Sequence, residues 1–207
     1  MRMLKEAGVD YEHISDMAEL SQKCAVFGAS GGNLAPPVIV DGDTILSQST
    51  AVAMYIGTKY GFPVPAGEEC KAVQIMEDIK DLFEGGISKN GGDAATLKTY
   101  LKGDGDKPAR FAIFCNAIEH NIKGPYFFGD KLSYVDFFLT SVYGNSEDGG
   151  LRKLKEKSGA DIFEPYPKIR GVIEHVRGLD SFKENEMIEL PAQYGLKEEV
   201  LDAYVKL

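Results

Sequence analysis

No apolar run in this chain approaches the roughly 20 residues that a membrane-crossing helix needs, and the opening MRMLKEAGVD lacks the long apolar centre of a secretory leader. Positive charge is also short. Against 32 Asp and Glu there are 23 Lys and Arg, a formal net charge of −9. That balance speaks against a nucleic-acid partner and against a polybasic membrane clamp, because both need cationic surface. Cysteine is scarce: Cys24, Cys70 and Cys115 are odd in number, far apart and without a CxxC pair. They suit a reducing, cytoplasmic setting better than a disulfide framework. His13, His120 and His175 are scattered too, so no metal site is read from their spacing. Internal repeats and low-complexity segments are lacking.

What is present is an ordinary globular composition. The 207 residues are 43% hydrophobic and 27% charged, enough for two small domains with a real core. Residues 33–61 (NLAPPVIVDGDTILSQSTAVAMYIGTKYG) carry the densest signal. Behind a Pro-Pro pair, Val38, Ile39 and Val40 form a β-branched run, Asp41-Gly42 is a hairpin turn signal, and Thr44-Ile45-Leu46 returns antiparallel. A helix follows with Val52, Tyr55 and Ile56 on one face. Its start at Gln48-Ser49 offers uncapped amides and the positive end of a helix dipole, a place for a small anion.

Two regions differ in character. Before the linker GFPVP, short helix and strand signals mix: MRMLKEAG reads as a helix end stopped by Gly8, VDYEHI alternates like a half-buried strand with Tyr11 packed, and residues 15–32 are helical or irregular, ending in GASGG. That glycine loop lacks the GK[ST] of a phosphate loop, so nucleotide binding is rejected. After the linker helical period dominates. Residues 68–84 carry a stripe of Ala72, Ile75, Met76, Ile79, Leu82 and Phe83, while residues 85–105 read as loop with a short TLKTYL helix inside. Pro108 opens a helix bearing Phe111, Phe114, Cys115, Ile118 and Ile122, Pro167 opens another bearing Ile169, Val172, Ile173 and Val176, and residues 196–207 form a last amphipathic stretch. In LSYVDF, Ser133 is expected to accept from the Asp136 amide while the Asp136 carboxylate reaches back, a capped start for a helix buried nearly all round.

The stretches PYFFGDKLSYVDFFL, QIMEDIKDLF and DIFEPYPKIRGVIEHV, together with the strand–turn–strand–helix unit, resemble the cytosolic glutathione S-transferases, nearest to the sigma-like class. The resemblance covers nearly the whole chain. It implies a thioredoxin-like α/β domain (residues 1–62) followed by an all-helical domain (residues 63–207), usually paired as a homodimer. It implies that Gln48 and Ser49 bind the γ-glutamyl carboxylate of glutathione, and that Pro37 is a cis-proline whose predecessor lines up with the ligand's backbone. Here that predecessor is Pro36, which has no N–H to donate, so weakened binding is expected. Asp81 matches the acid that reaches the ligand's α-amino group in the other subunit. Lys23 is a candidate for its glycyl carboxylate.

The implied chemistry is thiol activation: a thiol with pKa near 8.5 needs a hydroxyl or thiol donor beside its sulfur to become thiolate at neutral pH. In the resembled family that Tyr, Ser or Cys stands at the end of a first strand, and this chain opens in the helix after it. The expectation is that the strand lies upstream of Met1. The alternative is a short protein that has dropped conjugation and serves as a non-catalytic binding or structural module. The implied reaction is conjugation of glutathione to a small hydrophobic electrophile, or a glutathione-dependent isomerisation, in a pocket between the domains, with Phe83, Tyr143 and the final helix as wall candidates.

Overall fold

A computed structural model of the chain describes residues 2–24, 32–33, 36–146, 152–183 and 196–206. In chain order the elements are α1 (Arg2–Glu6), α2 (Met17–Cys24), β1 (Val38–Asp41), β2 (Thr44–Ser47), α3 (Ser49–Lys59) and α4 (Glu69–Lys80), which runs straight into a π-helix (Asp81–Ser88). Then come α5 (Ala94–Lys102), α6 (Arg110–Asn121), α7 (Tyr134–Ser146), α8 (Arg152–Ser158), α9 (Pro167–Arg177), α10 (Asp180–Lys183) and α11 (Glu198–Val205).

The hairpin forms where expected. Val38 pairs with Ser47, Ile39 with Leu46, Val40 with Ile45 and Asp41 with Thr44, around a turn in which Gly42 takes φ +60°. Period-2 alternation sends Ile39 and Leu46 to the main core and leaves Val40 and Ile45 exposed on the outer face. Asp41 then ties the turn to the end of α3, accepting from Lys59 Nζ (2.5 Å), Tyr60 Oη (2.8 Å) and Tyr55 Oη (3.1 Å). Those donors, Lys59 first, hold its carboxyl below the ordinary aspartate value.

VDYEHI is not a strand. Val9 N–H bonds to Leu4 O (2.9 Å) and closes α1, residues 11–13 are exposed, and Tyr11, expected to pack, is 38% exposed. Alternation specifies a face, but a strand also needs a neighbour to pair with, and among the described residues the sheet consists of β1 and β2 alone. Of residues 15–32, α2 is helical as expected, while most of GASGG lies outside the described residues. Leu20 of α2 packs with Ile14 and Val38.

The helical part follows its stripes closely. Ala72, Ile75, Met76 and Ile79 of α4, Phe111, Cys115 and Ile118 of α6, and Ile169, Val172, Ile173 and Val176 of α9 are all buried in one connected core. Fully burying each larger side chain contributes about 1.5–3 kcal/mol. Three contacts tie distant segments of the chain together around this core. Arg2 lays its guanidinium 3.5 Å from the centre of the Phe182 ring. Tyr134 packs against Gly57, where an added Cβ would lie 2.4 Å from Tyr134 Cβ, and its N–H bonds to Phe62 O (2.9 Å). Lys157 clasps Glu198 (2.5 Å) and Asp202 of α11.

Two details differ from the sequence expectation. Helical structure does not stop at Gly85 but continues as a π-helix through Ser88, and Tyr100 fills the space that a side chain at Gly86 would need: an added Cβ there would sit 1.9 Å from Tyr100 Oη. The buried hydroxyl donates to Leu82 O (2.9 Å), and Asn90 Nδ2 donates to Gly86 O (2.6 Å). At α7, Ser133 Oγ does not accept from the Asp136 amide. That amide bonds to Ser133 O, and the Asp136 carboxylate is the acceptor, taking Ser133 Oγ (2.6 Å), Ser133 N (2.8 Å) and Phe127 N (2.8 Å).

Tyr100→Phe removes the donor to Leu82 O and is expected to cost about 1–3 kcal/mol in chemical denaturation, and Gly86→Ala should cost more, because the ring must leave its place. Asp136 supplies a pH test. Burial pushes its carboxyl up to about 6, against the three donated bonds that pull it down. A folded pKa above the unfolded value near 3.8 means that the folded state binds the proton more tightly. The resulting stabilisation is full below pH 4 and is lost as pH rises through about 6. Denaturation of the parent and Asp136→Asn at pH 4 and pH 7 should show the parent's advantage shrinking by roughly 3 kcal/mol, at 1.36 kcal/mol per pKa unit. An advantage that grows with pH would show that the three donors outweigh burial.

Candidate functional site

The site grows from one sharp corner. β2 ends at Ser47 and α3 begins at Ser49, so Gln48 alone must turn the chain from extended to helical. It does so at φ 76°, ψ 126°, a left-handed conformation that costs a non-glycine residue about 1–3 kcal/mol. Its carbonyl accepts the Val52 amide (2.9 Å) and no side chain caps the helix. The first-turn amides of Ser49, Thr50 and Ala51 have no intrahelical acceptor by the geometry of an α-helix. They form a small electropositive mouth, with Ser49 half-buried beside an exposed Gln48.

The hairpin register supplies the other wall. Val38 is paired with Ser47, so continuing by one residue sets Pro37 opposite Gln48. The Pro36–Pro37 peptide is cis, and both prolines are exposed. Pro36 presents a carbonyl and no N–H to anything that lies along this corner. Thus Pro36, Pro37, Gln48 and Ser49, distant only in the loop between them, are brought together by strand pairing.

The remaining candidates stand elsewhere. Lys23, at the end of α2, pairs with Glu19 (2.8 Å) and Glu12 (2.9 Å), which raise its pKa, Glu19 first. Asp81 is exposed at the first position of the π-helix, beside Gly85. The polar link from α3 to α4 lands one turn earlier. Thr50 Oγ1 donates to Glu77 Oε1 (2.5 Å), and Lys80 Nζ lies 3.1 Å from Glu77 Oε2. The Thr50 hydroxyl, more than Lys80, holds the Glu77 carboxyl below its ordinary value. No local signal joins two residues 27 apart in sequence, so this contact was invisible before the fold was known.

Of the wall candidates, Phe83 is buried against Phe163 (centroids 6.2 Å apart), and the Tyr143 side chain lies outside the described residues. A cleft of about 490 Å³ is lined by Lys155, Asp161, Arg170 and Glu174, and one of about 340 Å³ by Lys5, Gly8, Val9, Asp10 and Tyr11. Neither includes Gln48 or Ser49. The mouth of α3 is a surface feature whose chemistry, not its depth, marks it. Among the described residues no group of three or more His, Cys, Asp or Glu is placed to hold a metal, and no helix is long and apolar enough to cross a membrane.

The matches found among known proteins carry the glutathione S-transferase name. Residues 94–184 match the family model for the glutathione S-transferase C-terminal domain. Glutathione S-transferase Mu 1 of Macaca fascicularis is 28% identical over 147 residues, 70% of this chain and 61% of that protein. Its counterpart in Oryctolagus cuniculus is 30% identical over 148 residues, covering 68% and 65%. The chain thus spans less than two thirds of the length of these curated relatives. Among solved structures, a glutathione S-transferase from Ascaris lumbricoides superposes with a TM-score of 0.60 at 19% identity, over 88% of this chain and 86% of that one. The fold is therefore the glutathione transferase fold, with a two-stranded sheet and α3 in the thioredoxin-like part of the described residues and a helical domain after them, and the matches support that family.

The strain at Gln48 is testable on its own. Glycine normally destabilises when it replaces an ordered residue, by about 0.5–1 kcal/mol. At φ 76° the backbone relief offsets that cost. Gln48→Gly should leave the thermal midpoint unchanged or raised, whereas Gln74→Gly in α4 should lower it.

Proposed function

We propose that this chain is a member of the glutathione S-transferase family that holds glutathione at the mouth of α3. The observation that carries the reading is the cis Pro36–Pro37 corner set opposite an uncapped helix start at Gln48. The ligand's γ-glutamyl carboxylate takes the first-turn amides and the Ser49 hydroxyl, with Gln48 beside it. The cysteinyl unit runs along the proline corner, where the Pro36 carbonyl accepts a bond and Pro36 donates none. Such an anion gains roughly 0.3–1 kcal/mol from the helix dipole, and more where it is partly buried.

The proposed reaction is addition or substitution by the glutathione thiol on a small hydrophobic electrophile, or a glutathione-dependent isomerisation. The proposed setting is a cytoplasmic homodimer, with Asp81 reaching across to the partner's ligand and Lys23 exchanging Glu12 and Glu19 for the glycyl carboxylate. The class reading, nearest to the sigma-like transferases, rests on PYFFGDKLSYVDFFL and QIMEDIKDLF, while the two relatives named above carry the Mu designation. No metal takes part. Thiolate formation requires a donor beside the sulfur. One feature favours a second reading, a binding module without turnover. Pro36 removes a main-chain donor at the corner, which loosens the hold on the cysteinyl unit.

Calorimetric titration with glutathione tests the site. The Gln48→Ala, Ser49→Ala double variant should bind at least about tenfold more weakly than the parent, the loss of one charge-assisted and one neutral hydrogen bond. Equal affinity would overturn the assignment. A chromogenic aryl halide assay separates the two readings, since turnover by the parent sinks the non-catalytic one.

A further inference from the structure

We infer that the cleft between α8 and α9 is a second binding site, separate from the corner at Gln48, and that it takes a small dicarboxylate. The chain as a whole is acidic, with a net charge of −9, whereas this cleft gathers Lys155, Arg170 and Arg177 against Asp161 and Glu174. Its volume of about 490 Å³ falls within the roughly 300–1,000 Å³ usual for small-ligand sites. Its lining runs from Lys155 to Gly178, wholly in the helical part, and shares no residue with the glutathione site proposed above.

Two elements place the cations. On α9, Arg170, Ile173, Glu174 and Arg177 follow the spacing of a single helix face, and Lys155 comes across from α8. The two carboxylates differ in what they leave open. Asp161 is engaged at both oxygens: Oδ1 accepts from the Phe163 amide (3.0 Å) and Oδ2 from Lys155 Nζ (3.0 Å). Glu174 is 70% exposed and stands 3.7 Å from Arg170, beyond hydrogen-bond reach. Among the described residues that is the one ion pair of Arg170, so its planar fork keeps donors for an oxyanion.

Spacing selects the ligand. Arg170 and Arg177 are two helical turns apart, about 10 Å along the axis. Arg177 marks the far end, 5.8 Å from the centre of the Phe182 ring that Arg2 also covers. Between the arginines lie the apolar Ile173 and the acidic Glu174. A compact anion placed midway would meet the Glu174 carboxylate. A ligand with a carboxylate at each end and hydrocarbon between them avoids that repulsion and gives each guanidinium its own partner.

Calorimetric titration of the full chain with adipate, hexanoate and inorganic phosphate tests the site. Adipate should bind about tenfold more tightly than either of the others, the worth of a second charge-assisted bond. Arg170→Gln and Arg177→Gln should each bring adipate down to the level of hexanoate. Arg170 is half exposed, so its variant should keep the parent's thermal midpoint, and a loss there reports binding and not folding. The Gln48→Ala, Ser49→Ala double variant should take adipate as the parent does. No uptake of adipate, equal uptake of phosphate or hexanoate, undiminished adipate binding in Arg170→Gln, or its loss in the double variant would each overturn the inference. The glutathione reading stands or falls separately, on the titration with glutathione.

Discussion

The carboxylate of Asp136 is the point on which the architecture turns. It lies fully buried and collects the amides of Phe127 and Ser133 and the Ser133 hydroxyl, so it closes the loop ahead of α7 and starts that helix in one stroke. A helix started there puts Tyr134 in its first position. Tyr134 in turn fits over Gly57, which has no side chain to resist it. Through this contact α3 is set against the helical core, and with α3 goes the corner at Gln48. The proposed binding residues make few contacts of their own with the deep core. Their placement is inherited.

Much of this was legible in the residues. The hairpin was readable because an Asp-Gly turn between β-branched runs specifies both the fold-back and the register, and the register alone then sets Pro37 opposite Gln48. The helices after residue 65 were readable because their apolar stripes keep a 3.6-residue period, and α4, α6 and α9 bury the residues those stripes name except Phe114, which is half-buried. The capped start at Ser133 was readable in outline, although the direction of the bond between the two side chains was not. An aspartate that accepts three bonds leaves the serine hydroxyl nothing to do but donate.

The rest depended on information that is not local. Residues 9–14 alternate correctly, but pairing belongs to a neighbour and not to the segment itself. Within the π-helix, Gly86 is needed because of Tyr100, which lies fourteen residues beyond it, so the glycine pair reads as a loop until the ring is in place. The Thr50–Glu77 bond crosses between two helices and has no signature in either one. Lys23 looked available from its loop position, whereas an i,i+4 glutamate and Glu12 occupy its ammonium. In each case a partner distant in sequence decided the outcome.

The clasp of Arg2 on Phe182 joins the first helix to α10, so the opening segment and the late helices share one boundary. Such a seam makes the two regions open together. Amide protons in α1 should then exchange on the timescale of global unfolding and not of local fraying. The proline-rich linker at residues 61–65, for all its resemblance to a hinge, would work as a rigid spacer inside a single cooperative unit.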